Sequence, residues 1–153
     1  MATVDTNEGA EMAVVRRFFD ELVNEGDFTA VDEILAPEYV RREAGSDEVM
    51  RGPEAFEAFI TDARRAFSGM EVTIDEMLVA DGAVVVRARE RGTHDGEFMS
   101  VEPTGERVEV EGIVIHRVDD GRIVETYACW DMLGMMRQLG VVPPTETGAP
   151  SKA

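Results

Sequence analysis

The sequence contains very little of several residue types, and each shortage excludes a class of protein. Cys129 is the only cysteine among 153 residues, so no internal disulfide can form and no Cys/His cluster has zinc-binding spacing. No apolar run reaches the ~20 residues that a membrane-spanning helix needs. The acidic start also lacks the basic and apolar regions of a secretory signal. We therefore expect a cytoplasmic protein without a structural metal.

Basic residues are also scarce, and Lys152 is the only lysine among them. The 15 basic residues stand against 32 acidic ones, which gives a net charge of -17. A surface this negative repels phosphate backbones and anionic lipids, so we expect neither nucleic acid nor membrane as a partner. A high-GC codon bias would explain the preference for arginine. The alternative is a halophilic source, where salt screens the repulsion between carboxylates.

Apolar residues at helical spacing predict three helices in the first half of the chain. The first runs from Gly9 to Gly26, and Thr29 can cap a short second helix that ends before Pro37. An extended stretch begins at Tyr39. The third helix begins at Pro53, and its apolar stripe consists of Phe56, Phe59, Ile60, Ala63 and Phe67.

The second half of the chain has the two-residue period of strands with one exposed face. The period changes after Gly69, and residues 107–118 and 122–132 form two strands joined by a turn at 119–121. A short closing helix covers 133–139. Helices followed by antiparallel strands predict an α+β fold with the helices on one face of a curved sheet. We assign 1–8 as a flexible N-terminus, 9–142 as one domain and 143–153 as a disordered tail.

Four segments occur in an order and spacing typical of one family. They are GTHDGEF at 92–98, PTGERV at 103–108, IHRVDDGRIVE at 115–125 and WDMLGMMRQLG at 130–140. With them, residues 12–142 resemble the SnoaL-like polyketide cyclases, or ester cyclases, of the nuclear transport factor 2-like superfamily. The resemblance implies a cone-shaped α+β barrel with one deep apolar pocket, usually within a homodimer paired through its sheets.

The resemblance also implies a reaction. Cyclases of this family close a ring by intramolecular aldol addition on a polyketide ester, without metal or organic cofactor, and use an aspartate as acid and base. Asp131 matches that aspartate by position. A carboxylate among Trp130, Met132 and Tyr127 loses hydration, which raises its pKa toward that of a general base. The alternative is that Asp131 caps the turn that follows it.

His94 is the second catalytic candidate. It has the same strand parity as Val84, Val86 and Ala88, so it is predicted to point to the apolar side of the sheet. There it could polarise a substrate carbonyl or share a proton with Asp131. The alternative is a buried histidine that hydrogen-bonds to backbone at a strand end.

The turn at 119–121 decides which residue faces Asp131. A three-residue loop, which we favour for the sequence DDG, places Arg117 on the face of Tyr127 and Asp131. A two-residue loop would place His116 there instead. With the three-residue loop, Arg117 would keep Asp131 ionised or bind an oxyanion. Tyr127 would line the pocket with its hydroxyl as a donor.

Further substrate contacts are predicted for apolar and cationic side chains. Trp130 and Met99 suit an adaptable apolar cavity. Relatives often have a histidine soon after the YV of the early extended stretch, where this chain has Arg41 and Arg42. If that position, assigned to Arg42, contacts the ligand, a carboxylate or another anionic group is favoured over a neutral ester.

Two functional hypotheses follow. The first is a cofactor-free enzyme that acts on a small apolar carbonyl compound through Asp131 assisted by His94. Cyclisation is its leading reaction, and isomerisation of an enone or epoxide hydrolysis would use the same groups. The second is a non-catalytic ligand-binding domain that keeps the pocket without turnover.

Overall fold

The computed structural model describes residues 6–143, in which helices pack on a single sheet as the α+β prediction requires. The helical elements are α1 (Thr6–Arg17), a π-helical continuation (Phe18–Asn24), α2 (Val31–Ile34), α3 (Pro53–Ala66) and α4 (Met132–Leu139). The strands are β1 (Leu35–Glu43), β2 (Val49–Arg51), β3 (Phe67–Ala80), β4 (Ala83–His94), β5 (Arg107–Asp119) and β6 (Arg122–Trp130).

The predicted helices are present, with changes at their ends, and the second half of the first, Phe18–Asn24, is π-helical. The first helix begins at Thr6, three residues earlier than expected, so residues 6–8 belong to it. The short second helix has Ala30 at its N-cap, because the hydroxyl of Thr29 bonds to Asp27 instead. Residues 1–5 and 144–153, which include most of the predicted tail, lie outside the described residues.

The sheet has six strands in the order β2, β1, β6, β5, β4, β3. All neighbours are antiparallel except β1 and β6, which pair in parallel. The parallel pair joins the first strand of the chain to the last. It therefore brings the early extended stretch beside the C-terminal strand and α4.

The prediction of a three-residue hairpin loop is wrong. Asp119 pairs with Arg122, so the loop has two residues, and a register shift follows between the pairs Val118–Ile123 and Arg117–Glu125. Because β6 has one extra residue at this shift, Arg117 still lies on the same face as Tyr127. That face is the outer face of the sheet. His116 points to the interior and is fully buried.

One core fills the space between the helices and the inner face of the sheet. On its helical side the core contains Phe18, Phe19 and Leu22. On the sheet side, β4 contributes Val84, Val86 and Ala88. Phe18 stacks on Phe56 of α3 with ring centroids 5.0 Å apart. These contacts fix the first helix and α3 relative to the sheet, and an open cavity remains beside them.

Candidate functional site

A cavity of about 690 Å³ opens between α3 and the inner face of the sheet. Its walls are mostly apolar, and aromatic rings form a large part of them: Phe18, Phe19, Phe56, Phe59, Phe67, Phe98 and Trp130. The mouth is marked by lining residues that are exposed, among them Ser46, Glu48, Ala58 and Met99. A volume of this size suits a drug-sized molecule with flat apolar surfaces.

Trp130 reaches the cavity because it is the last inward residue of β6. Its indole lies against Gly112 of β5, where the Cβ of any other residue would overlap the ring. The glycine therefore allows the large ring to lie close to the backbone of the neighbouring strand. Thr126 and Ala128 are the preceding inward residues, so this strand directs no carboxylate into the interior.

Glu90 is the acidic group that β4 directs into this apolar cavity. It shares the inward parity of Val86 and Ala88, and its side chain is only partly exposed. Burial raises the pKa of Glu90 to about 7; the positive charge of Arg41 opposes this rise and the negative charge of Glu43 adds to it. Near neutral pH this carboxyl group can both accept and donate a proton.

Arg41 of β1 is the cation of the cavity and is only 6% exposed. Its guanidinium carbon lies 5.4 Å from the ring centre of Phe56 and 5.2 Å from that of Phe59. One Nη lies 3.7 Å from Oε2 of Glu43. In the part of the chain that the structure describes, the buried Nε has no hydrogen-bond partner.

A row of buried polar side chains crosses the sheet beside Arg41. Arg41 pairs with Thr126, and Thr126 pairs with His116 on the next strand. Nδ1 of His116 lies 3.0 Å from Oγ1 of Thr126, and its ring packs edge-on against Phe18. Burial, with a smaller contribution from Arg41, lowers the pKa of His116 to about 3, so this imidazole is neutral. Burial likewise raises the pKa of the Tyr39 hydroxyl.

Asp131 does not lie where the sequence led us to expect. It is exposed, lies outside the cavity lining and caps α4, with Oδ1 accepting a hydrogen bond of 2.9 Å from the Gly134 N–H. A side chain at position 134 would overlap that carboxylate. The predicted dehydration of Asp131 is therefore wrong, and the capping alternative describes its position.

His94 points inward as its parity predicted and is fully buried. Its Nδ1 accepts from the Thr104 N–H at 3.2 Å and lies 3.0 Å from the Thr104 hydroxyl, and its ring packs against Phe67. His94 is not among the residues that line the cavity, whereas Phe67 is. His94 and Asp131 therefore do not share a chamber, and backbone contact at a strand end describes the histidine.

The other predicted contacts divide between the two faces of the sheet. Trp130 and Met99 line the cavity, the latter at the mouth with 64% exposure. Tyr127 and Arg117 lie on the outer face and are exposed, so the prediction that they face the ligand is wrong. Arg42 also lies outside and pairs with Glu125 at 2.8 Å. Arg41, one residue earlier, lines the cavity in the place that the sequence analysis gave to Arg42.

The sequence prediction therefore missed Glu90, and it named Arg42 where Arg41 lines the cavity. The parity of β4 already indicated that Glu90 points inward. For Arg41 the corresponding signal was Tyr39, an aromatic residue two positions earlier on the same face. Within residues 6–143, no three histidine, cysteine, aspartate or glutamate side chains are arranged to hold a metal ion. No helix in that range is long and apolar enough to cross a membrane.

Comparisons with known proteins agree with this architecture. The profile of the SnoaL-like polyketide cyclases matches residues 13–139. An aklanonic acid methyl ester cyclase of Streptomyces peucetius is 35% identical over 141 residues, which cover 90% of this chain and 96% of that protein. A nogalonic acid methyl ester cyclase of Streptomyces nogalater is 29% identical over 127 residues, which cover 82% of this chain and 94% of that protein.

Solved structures of other proteins share this fold. The structure of TsrD from Streptomyces laurentii superimposes with a TM-score of 0.79 at 28% identity, and the match covers 92% of this chain and all of that one (100%). An epoxide hydrolase of M. tuberculosis superimposes with a TM-score of 0.67 at 21% identity over 87% of this chain and 91% of that one. At that identity the second likeness concerns the fold alone.

Proposed function

The chain belongs to the SnoaL-like polyketide cyclase family, and from this membership we propose that it closes a carbon ring in a polyketide-type ester by proton transfer at Glu90. The observation that carries the proposal is a carboxyl group with a pKa of about 7 on the wall of an apolar cavity. A general acid and base works best when its pKa lies near the working pH. The named cyclase relatives support the reaction class.

The proposed reaction needs only one titrating group. The Glu90 carboxylate removes a proton from a carbon flanked by two carbonyls, which leaves an enolate. The enolate carbon attacks a ketone carbonyl in the same molecule, so a C–C bond forms and the ketone oxygen becomes an alkoxide. The alkoxide then takes the proton from the Glu90 carboxylic acid. Substrate and product are isomers, so the chemistry balances without a cofactor.

The test is turnover of defined substrates. Aklanonic acid methyl ester and nogalonic acid methyl ester, the compounds in the names of the relatives, are incubated with the purified chain. Products are separated by chromatography and identified as isomers by mass spectrometry. We expect cyclisation by the wild type and a decrease in kcat of about 10²-fold to 10⁴-fold in Glu90→Gln.

Asp131→Asn is the matched comparison, because the exposed Asp131 carboxylate caps α4. Full loss of turnover in a folded Asp131→Asn protein, with Glu90→Gln unaffected, would contradict the assignment and restore Asp131 as the catalyst. Binding of either ester without turnover by the wild type would instead support the non-catalytic alternative.

We also propose that two copies pair through the outer face of the sheet. Ile113 on β5 and Tyr127 on β6 are 50% and 44% exposed there, and Cys129 is exposed beside them. Apolar residues clustered on one exposed face are typical of an association surface.

A further inference from the structure

Arg41 is a buried cation whose hydrogen-bonding capacity is largely unused. A guanidinium carries five N–H donors, and burying a charge without hydrogen bonds is costly. The one carboxylate oxygen within 4.0 Å among the described residues is that of Glu43, at 3.7 Å, which is longer than a hydrogen bond. The Nε of Arg41 is buried and has no partner among those residues.

The surroundings of Arg41 leave one direction open. Phe56 and Phe59 lie against the guanidinium at cation-π distance. Beside it, the buried row of Tyr39, Thr126 and His116 supplies no anion. The other side is the cavity, which Arg41 lines together with Glu43 and Glu90. Because Arg41 lines the cavity, its side chain borders the space that a ligand would occupy.

We propose that Arg41 binds a planar oxyanion of the ligand, either a carboxylate or the enolate of a 1,3-dicarbonyl, and so favours ligands that carry such an anion over uncharged ligands of the same shape. This inference rests on the proposed function, because it names the substrate class of the same cavity. The fork of a guanidinium matches two oxygens held in one plane, and a compact ammonium does not. The aromatic walls suit a flat ring system that carries such a group.

The proposal separates Arg41 from the proton-transfer group. Glu90 acts on a carbon-bound proton, whereas Arg41 would hold oxygen atoms that carry negative charge, either in a carboxylate or in the enolate that this proton transfer forms. Glu43 competes with the ligand, since it is the carboxylate that lies nearest to Arg41 in the described residues. Its side chain is one-third exposed, so it can turn toward solvent when an oxyanion enters.

Binding can be measured without a known substrate, because the chain has one tryptophan and Trp130 lines the cavity. Quenching of its fluorescence reports occupancy by 2-naphthoate, by methyl 2-naphthoate and by 1-(2-naphthyl)butane-1,3-dione. The first two share one ring system and differ in charge, and the third carries an enolisable dicarbonyl. We expect 2-naphthoate to bind about 10-fold to 100-fold more tightly than its ester, as charge-assisted hydrogen bonds typically allow.

The third probe distinguishes the two sources of the oxyanion. Tight binding of the diketone above its solution pKa, with weak binding below it, would identify the enolate as a ligand. Tight binding of 2-naphthoate alone would restrict the site to carboxylates. Equal affinity for 2-naphthoate and its ester, together with weak binding of the ionised diketone, would overturn the proposal.

Variants assign the selectivity to Arg41. Arg41→Met should lose the preference for 2-naphthoate and bind the ester within about twofold of the wild type. The matched control is Arg42→Met, because Arg42 pairs with Glu125 on the outer face and should leave both affinities unchanged. Retention of the preference in Arg41→Met would overturn the proposal. If that protein does not fold, Glu43→Gln provides the second test: 2-naphthoate should bind more tightly, and unchanged binding would contradict a site at Arg41.

Glu90→Gln distinguishes failure here from failure of the proposed function. If Arg41 is the anchor, this variant keeps the preference for 2-naphthoate whether or not turnover is lost. Loss of the preference in Glu90→Gln would place the selectivity at Glu90 and overturn the inference about Arg41. A preserved preference together with normal turnover in Glu90→Gln would refute the catalytic assignment alone.

Discussion

Replacing Glu90 by glutamine should make the protein more stable at neutral and alkaline pH and leave its stability unchanged in acid. The pKa of this carboxyl group is about 7 in the folded chain, against an ordinary value of 4.5. Each pH unit of difference corresponds to 1.36 kcal/mol, so ionising the folded protein costs up to about 3 kcal/mol. Water in the open cavity reduces this cost, and we expect about 1 to 3 kcal/mol.

The sign follows from proton binding. Between pH 4.5 and 7 the folded state holds the Glu90 proton while the unfolded state has released it, so wild-type stability falls as pH rises. Above pH 7 the penalty is constant. Glutamine cannot ionise, so the free energy of unfolding of Glu90→Gln should exceed that of the wild type at pH 8 and match it at pH 4.

Urea unfolding at these two pH values measures the effect. Glu97→Gln is the control, since Glu97 is exposed and should show the same difference from the wild type at both values. An equal difference between Glu90→Gln and the wild type at pH 4 and pH 8 would refute the claim that burial makes this carboxyl group hard to ionise.

Four further predictions concern other parts of the molecule. Asp131→Ala should lower the free energy of unfolding by about 1 kcal/mol through loss of the α4 cap, and an unchanged urea midpoint would contradict that role. The pKa of His116 is lowered to about 3, so wild-type stability falls between about pH 6.5 and 3 as the unfolded state takes up a proton. The double variant His116→Phe/Thr126→Val, which removes both hydrogen-bonding partners, should therefore unfold at lower pH in an acid titration followed by circular dichroism. Tyr127→Glu should shift the mass measured by light scattering from dimer to monomer, whereas a monomeric wild type would refute pairing of copies. With a net charge of -17, the melting temperature should rise steeply from low to molar salt if the source is halophilic, and a flat response would end that hypothesis.

Periodicity predicted the elements of this fold well, because an amphipathic helix or strand must bury one face. The stripe of α3 and the alternation of β4 correctly identified their inner faces, except that Phe67, the last residue of the predicted stripe, is the first residue of β3. The three-residue strand β2 was missed, since it is too short to show a period. Its partner β1 also lacks clear alternation, because Pro37 and Glu38 interrupt it.

The site was harder to predict because successive side chains of a strand point to opposite faces. Tyr127 and Trp130 were both assigned to the pocket, although three residues apart on one strand they face opposite ways. Asp131 shares the outward parity of Tyr127, and its carboxylate is used by the helix that follows. Glu90 is the opposite case. It has the parity of Val86 and Ala88, so the alternation of β4 was enough to predict that its carboxylate points inward.

Proton exchange from carbon tests the central claim most directly, because it needs no natural substrate. Ethyl benzoylacetate in D₂O, at a pH near 7, is followed by NMR for replacement of its methylene hydrogens with and without the protein. We predict that the wild type accelerates exchange, that Asp131→Asn does so equally, and that Glu90→Gln gives only the rate seen without protein. Acceleration that survives in Glu90→Gln would contradict the account.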